Sequence, residues 1–308
     1  MPIRNAPKPK SRLVSWLAAL TLAVGSLPGV AAARPQDRKA DADTVYKRAQ
    51  AQYEKREFDE AIKLFNQVVR LDPTYVEAYV SRGMAWNEKG EYDKAIKDFT
   101  AGMQVDPKFV PAYINRGISW IEKSEFDKAI KDLDAAVKLD PKDDAALFQR
   151  GVAWSKKGDY DTALKDFNAS IKLDDKYPPA YFYRGQAQFS KKEYEKALKD
   201  YDQSLGLDPK DPAALNAKAW LLATCPVAKF RQGKTAVALA TKACELSDWK
   251  DADHLDTLSC ACAEAGQFDE AVKWQKKVLA GAEASKESAD ATRARLQLFE
   301  KKKPYRDE

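Results

Sequence analysis

Apolar and polar positions follow a helical period along this chain, and the same arrangement returns at a fixed interval. In the stretch from Val76 to Pro107, VEAYVSRGMAWNEKGEYDKAIKDFTAGMQVDP, the residues Tyr79, Gly83 and Trp86 are spaced by four and three and so share one helical face. The small Gly83 predicts that another backbone approaches closely there. A second stripe, Tyr92, Ala95, Ile96 and Phe99, follows, with Asp93 in its first turn, where a carboxylate suits the helix dipole. Gly90 parts the two segments, and Pro107 stops the second because it cannot continue a helix and pushes Asp106 out of the helical region. The stretch predicts a helical hairpin. Its landmarks move together by 34 residues, from Tyr79 to Tyr113, Gly83 to Gly117, Trp86 to Trp120, Ala95 to Ala129, Phe99 to Leu133 and Pro107 to Pro141. A fixed period of this size marks an array of stacked helical units, since one hairpin cannot bury both of its apolar stripes.

The first copy starts near Ala42, with Val45, Ala49, Ala61, Phe65 and Pro73 at the expected offsets, and the second and third start at Val76 and Val110. The fourth, from Asp144, has Asp175 where Pro is expected, so Pro178 and Pro179 are expected to supply the stop; the fifth runs from Pro178 to Pro209. In the sixth, Ala236 stands five places late, which puts an insertion between its helices in Thr224 to Gly233. The seventh spans Asp253 to Leu279. A last helix, Ser288 to Lys302, carries Leu296, Leu298 and Phe299 and is placed to cover the final hairpin, as solenoid ends require.

The order Tyr79, Gly83, Trp86, Gly90, Tyr92, Ala95, Phe99 and Pro107 resembles the tetratricopeptide repeat, and it recurs in consecutive copies. The resemblance implies an all-α fold: a right-handed superhelical solenoid of about seven helix-turn-helix repeats with a C-terminal capping helix. The expected organisation is a signal peptide at 1–33, a flexible leader at 34–41, repeats one to five at 42–211, repeats six and seven at 212–284, and the capping helix and tail at 285–308. The part from Trp220 onward also resembles the end of exported bacterial repeat proteins of planctomycete type.

The N-terminus reads differently from the repeats. Arg4, Lys8, Lys10 and Arg12 precede the apolar run Leu13 to Val24, Pro28 and Gly29 break it, and the small residues Val30 to Ala33 follow. This is the layout of a secretory signal peptide, cleaved after Ala33 or Ala32, with an uncleaved anchor as the alternative. Export to the periplasm, cell envelope or exterior is the expectation. No Cys follows the run, so no lipid anchor is expected, and membrane contact is expected only if the segment is retained. These four basic residues leave the formal net charge of +5 at about +1 without them. Lys and Asp interleave along the second helices (Asp93, Lys94, Lys97, Asp98) as on a solvated face, so no nucleic-acid partner is expected.

Candidate chemistry is sparse. His254 is the one histidine, and it reads as an exposed residue near the start of a helix beside Asp253 and Asp256. No phosphate-binding loop, nucleophile elbow or metal-spaced Cys/His cluster is present, so no catalytic residue, metal or cofactor is expected. Cys225, Cys244, Cys260 and Cys262 all lie in the last third; Cys260 and Cys262 fall on different faces of one helix, and reduced, buried thiols are expected, with a disulfide from Cys225 or Cys244 to another cysteine as the alternative in an exported protein. Arg82, Arg116, Arg150 and Arg184 share one repeat position, and Asp98, Asp132, Asp166 and Asp200 stand sixteen residues after each. The sixth and seventh copies lose both, with Lys218 and Leu239, then Leu258 and Trp274, in their places. Joint loss predicts an ion pair between the two helices of a hairpin, against the alternative of a basic ladder for an acidic ligand.

In the family resembled, first helices line a concave groove that holds a peptide. The resemblance maps the groove onto Tyr46, Gln50 and Tyr53; Val80, Met84 and Asn87; Ile114, Ile118 and Ile121, with Asn115 beside them; Phe148, Val152 and Ser155; and Phe182, Gln186 and Phe189. Tyr46, Met84, Ile118, Phe148, Phe182 and Phe189 are expected to be apolar anchors, with Asn87, Asn115 and Gln186 as amides for a peptide backbone. The two-carboxylate clamp of some relatives is not expected, since Val80 and Met84 stand at its positions and only Asn115 fits. The implied function is a non-enzymatic scaffold that binds a protein or peptide. Its rivals are an enzyme or accessory subunit using the irregular 224–233 loop, and a self-assembling structural protein.

Overall fold

The computed structural model describes residues 35–282 and 286–307. The expected signal peptide lies outside the described residues. Among those described are fifteen α-helices, one short 3-10 turn and no strand, which makes this an all-α repeat fold. They divide into two compact units, with the boundary in sequence between Thr162 and Ala163.

The first unit holds three complete hairpins and the opening helix of a fourth: α1 (Pro35–Glu54) with α2 (Phe58–Leu71), α3 (Val76–Glu88) with α4 (Tyr92–Val105), α5 (Val110–Glu122) with α6 (Phe126–Leu139), then α7 (Asp144–Lys157). Each helix packs on the next, and α1, α3, α5 and α7 also touch in sequence, so the first helices make a continuous layer. α8 (Tyr160–Leu173) begins just before the boundary. The second unit continues with α9 (Pro178–Ser190) on α10 (Tyr194–Leu207), α11 (Pro212–Thr224) on α12 (Gly233–Leu246), α13 (Ala252–Glu264) on α14 (Phe268–Ala282), and α15 (Lys286–Glu300) on α14.

The crossing of each hairpin follows from its small residues. Ala95, Ala129 and Ala197 are fully buried. A Cβ at Gly83 would lie 2.5 Å from the Phe99 ring, and one at Gly117 would lie 2.8 Å from Leu133. The glycine therefore receives a side chain of the second helix, not the neighbouring backbone that the sequence suggested. The Trp86, Trp120 and Trp154 rings are half-buried, with Lys94, Lys128 and Lys157 ammonium groups 4.5, 4.7 and 5.3 Å from their centroids.

Three further expectations change. The leader is helical from Pro35, which fits the first turn because its missing N–H is unpaired there in any helix; its polar residues carry no apolar stripe, so the pattern concealed it. The fourth repeat does not need Pro178 and Pro179 as a stop. The Asp174 carboxylate accepts the Lys176 N–H at 3.0 Å, the same turn that Asp106 makes with Lys108 and Asp140 with Lys142, while the two prolines open α9. The insertion of the sixth repeat is ordered by Arg231, whose guanidinium donates to the Cys225 and Pro226 carbonyls at 2.9 and 3.1 Å and meets Glu264 at 3.0 Å. Gly233 lets it close, since a Cβ there would stand 2.6 Å from the Ala265 nitrogen.

Candidate functional site

The arginine row is the most regular polar feature. The Arg82 guanidinium donates to both carboxylate oxygens of Asp98 at 2.7 and 2.6 Å, Arg116 to Asp132 at 2.7 and 2.7 Å, and Arg184 to Asp200 at 2.7 and 2.6 Å. Forked pairs of this kind are the strong form of the contact. Each arginine also reaches sixteen residues backward: Arg82 to Asn66 at 2.6 Å, Arg116 to Thr100 at 2.9 Å, Arg150 to Asp134 at 2.8 Å and Arg184 to Asn168 at 2.7 Å. Asp166 is buried in α8. Lys218 keeps the backward bond, to Asp202, where its forward partner has become Leu239. Reading the sequence in single hairpins missed this second partner, although Asn66, Thr100, Asp134, Asn168 and Asp202 also recur at the repeat interval. With two sets of partners, these guanidiniums tie a hairpin to the one before it. They are not a ladder open to an acidic ligand.

The mapped groove residues separate into two sets. Val80, Ile114, Ile121, Phe148, Val152 and Phe182 are buried, Phe148 and Phe182 to 1 % exposure. Those two are core residues and not surface anchors. The Phe182 ring lies 5.3 Å from that of Tyr183 on its own helix and 6.3 Å from that of Tyr201 on α10. Tyr46, Tyr53, Met84, Asn87, Asn115, Ile118, Gln186 and Phe189 stay half-buried. Several have internal partners. Tyr46 shares a 3.0 Å hydrogen bond with Ser81, Asn87 accepts from Ser119 at 2.8 Å, Asn115 donates to the Pro111 carbonyl at 2.8 Å, and Phe189 meets Tyr194 edge-on at 5.7 Å.

Between these lies a small, shallow depression on α1 and α3, open to solvent and lined by Gln50, Tyr53, Met84 and Ser81 over Phe65. Three of these are mapped groove positions. Ser81 and Phe65 were missed, Phe65 because it belongs to the second helix and appears at the floor only once the hairpin is closed. Its floor is apolar, with an amide and hydroxyls at its rim.

The second unit has a different character. His254 is buried, not exposed: the Asp251 cap of α13 pulls its N–H in at 3.2 Å, and its Nδ1 lies 3.0 Å from the Ser247 hydroxyl. Asp256, one turn of helix away from the cap, is buried and receives the Arg295 guanidinium at 3.0 Å and the Gln275 amide at 2.9 Å. Desolvation still pushes its carboxyl above the usual range. All four cysteines are buried free thiols, and burial raises each of them, Cys262 to about 11 and Cys244 to about 12. Thiols held in the neutral form are poor nucleophiles. Among the described residues no group of His, Cys, Asp and Glu could hold a metal, and no helix is long and apolar enough to cross a membrane.

Stacked hairpins at a fixed interval define a helical-repeat protein. A tetratricopeptide-repeat profile matches residues 46–103 and 115–178, and a second matches 178–211, together about half of the chain. The chain belongs to the tetratricopeptide-repeat family. No curated protein matches it. Among solved structures it is similar to the APC/C hetero-tetramer Cut9-Hcn1, at 20% identity over 71% of this chain and 42% of that one, with a TM-score of 0.65. It is also similar to pilF of Pseudomonas aeruginosa, at 13% identity over 83% and 98% and a TM-score of 0.54, and to a thermophilic repeat protein of Thermus thermophilus, at 18% over 56% and 94% and a TM-score of 0.50. At such identities the likeness is one of fold.

Proposed function

We propose that this chain is a non-enzymatic scaffold that binds an extended segment of another protein along its first-helix face. The depression on α1 and α3 anchors one apolar side chain of that segment. The observation that carries this reading is the meeting of Tyr53 and Met84 over Phe65, with Gln50 and Ser81 at the rim, on the face where this family binds peptides. The protonated, buried thiols and the buried His254 support a binding role over a catalytic one. The basic, apolar and small-residue order of residues 1–33 supports export to the periplasm, cell envelope or exterior.

The test begins with capture of a partner on the chain without residues 1–33, followed by calorimetric titration. Tyr53→Ala with Met84→Ala should weaken binding by about 2 kcal/mol, the scale of an interface hot spot, with the thermal unfolding transition nearly in place. Affinity should change little between low and high salt, because screening acts on separated charges. Unchanged affinity in the variant, or collapse in salt, would place recognition elsewhere.

A further inference from the structure

The first-helix positions that form the mapped groove continue into the sixth and seventh repeats. Counting by the repeat interval from Met84, Ile118, Val152 and Gln186 leads to Trp220 in α11, and the same alignment puts Asp256 and Cys260 of α13 at the positions of Val80 and Met84. Here the face is already covered. After α15 the chain turns at Lys302, which has a left-handed φ of 55°, and residues 303–307 leave the helix without forming another regular element.

That segment is held as a bound peptide would be. The Tyr305 ring lies 5.9 Å from the Trp220 ring, with the Arg295 guanidinium 5.5 Å from its own centroid. Arg306 pairs with Glu264 at 2.7 Å, and the other oxygen of Glu264 is occupied by Arg231 of the insertion. The Trp220 indole N–H donates to the Asp307 carboxylate at 2.6 Å, and the Asp307 N–H donates to the Thr224 carbonyl at 3.0 Å. An aromatic side chain packed on an indole, a base and an acid each matched, and one backbone bond are the elements of peptide recognition. Residues 304–307 are nonetheless only half-buried, whereas Trp220 beneath them is 5 % exposed. The row goes on beyond the segment. Asn216 on α11 and Gln186 on α9 have buried amide oxygens that accept no hydrogen bond, and Phe189 packs against the cluster that contains Trp220.

We propose that the α11–α13 face, built on Trp220, Thr224 and Glu264, is a peptide-binding site for an extended segment of aromatic, basic and acidic residues in that order, and that Tyr305-Arg306-Asp307 is its resident internal ligand. The occupant is this chain's own 303–307 segment. An outside ligand of the same order competes with it. This site is separate from the depression on α1 and α3, and it stands if that reading fails.

The probe is a synthetic peptide of residues 301–307, labelled at its first residue and amidated at its last, followed by fluorescence anisotropy. The full chain carrying Tyr305→Ala and Asp307→Ala should bind it at least tenfold more tightly than the unsubstituted chain. The same peptide with Ala at positions 305 and 307 should bind neither. If the substituted chain melts cooperatively with normal helical content and yet binds no better, or if both chains bind both peptides alike, the proposal is overturned. Hydrogen exchange on the unsubstituted chain decides the matter independently of that variant's folding. The Asp307 amide should exchange at least a hundredfold faster than the Cys260 amide in the middle of α13, because a ligand that can leave must open locally. Equal protection of the two would make the segment an inseparable part of the core and would also overturn the proposal.

Discussion

Arg56, Gly90, Ser124, Gly158 and Lys192 occupy equivalent positions in five successive repeats, and all have positive φ, between 60° and 93°. The turn between the two helices of a hairpin demands this backbone state wherever the repeat is regular, yet glycine supplies it only twice. A Cβ at Gly90 or Gly158 would meet nothing within 4 Å, so the difference between these residues is conformational and not steric. Left-handed backbone costs a non-glycine residue roughly 1–2 kcal/mol, partly offset by the greater freedom of glycine in the unfolded chain. Ser124→Gly should therefore stabilise the protein by about 0.5–1 kcal/mol, seen as a higher denaturant midpoint with the same slope. A lower midpoint would mean that the Ser124 side chain holds the turn in some other way. The pattern of Gly90 as a helix separator was legible in the sequence, but the equivalence of Arg56 and Lys192 to it was not, because their side chains advertise solvent and conceal the backbone they sit on.

Between elements, the arginine row outweighs the lysine pairs that run beside it. Lys89–Asp59, Lys123–Asp93 and Lys157–Asp127 also join successive repeats, but their carboxylates are largely exposed, and water screens such pairs. Arg116 and Asp132 are enclosed, with side chains 20 % and 8 % exposed. Asp132→Ala should cost about 2–3 kcal/mol, since it leaves a guanidinium short of its forked partner. Arg116→Ala added to it should cost only the further loss of the Thr100 bond, so a double-mutant cycle should show strong coupling. Full additivity would show that the two do not act together. The sixteen-residue spacing carried the forward pair because both partners lie in one hairpin and vanish together in the sixth. It did not show which stripe of the first helix remains open. Val80, Phe148 and Phe182 look on paper like a spare apolar face, and only the packing of successive repeats reveals that the array itself uses it. Phe182→Ala should accordingly lower stability by about 3–5 kcal/mol as a core truncation, measured by chemical denaturation. A mild loss confined to binding would restore it to the surface.

At the scale of the molecule, regular copies and the irregular end are stabilised differently. The repeats up to the fifth rest on periodic pairs and crossings, whereas the seventh hairpin and α15 share a buried polar centre in which Asp256, Gln275 and Arg295 satisfy one another. Asp256→Ala should cost about 3–5 kcal/mol by stranding Arg295 in a buried site, and differential scanning calorimetry should show the loss. A shift within about 1 °C would mean that water replaces the carboxylate. None of this centre was legible in sequence, because its members come from three helices and occur once each, so no period points to them. The helices themselves were legible almost everywhere, since each copy repeats the evidence of the last.

The two-way grip of the arginines has a consequence for how such a chain can change in length. Each regular copy carries a hook for the copy behind it, at the arginine, and an eye for the copy ahead, at Asn66, Thr100, Asn168 or Asp202. Both are written inside the same interval, so a whole copy spliced in between regular neighbours brings as many eyes as hooks and leaves no guanidinium stranded. Copy number can drift by unequal crossing-over without an intermediate that fails to fold, and a chain with residues 110–143 duplicated should fold and unfold at a higher denaturant concentration than the original.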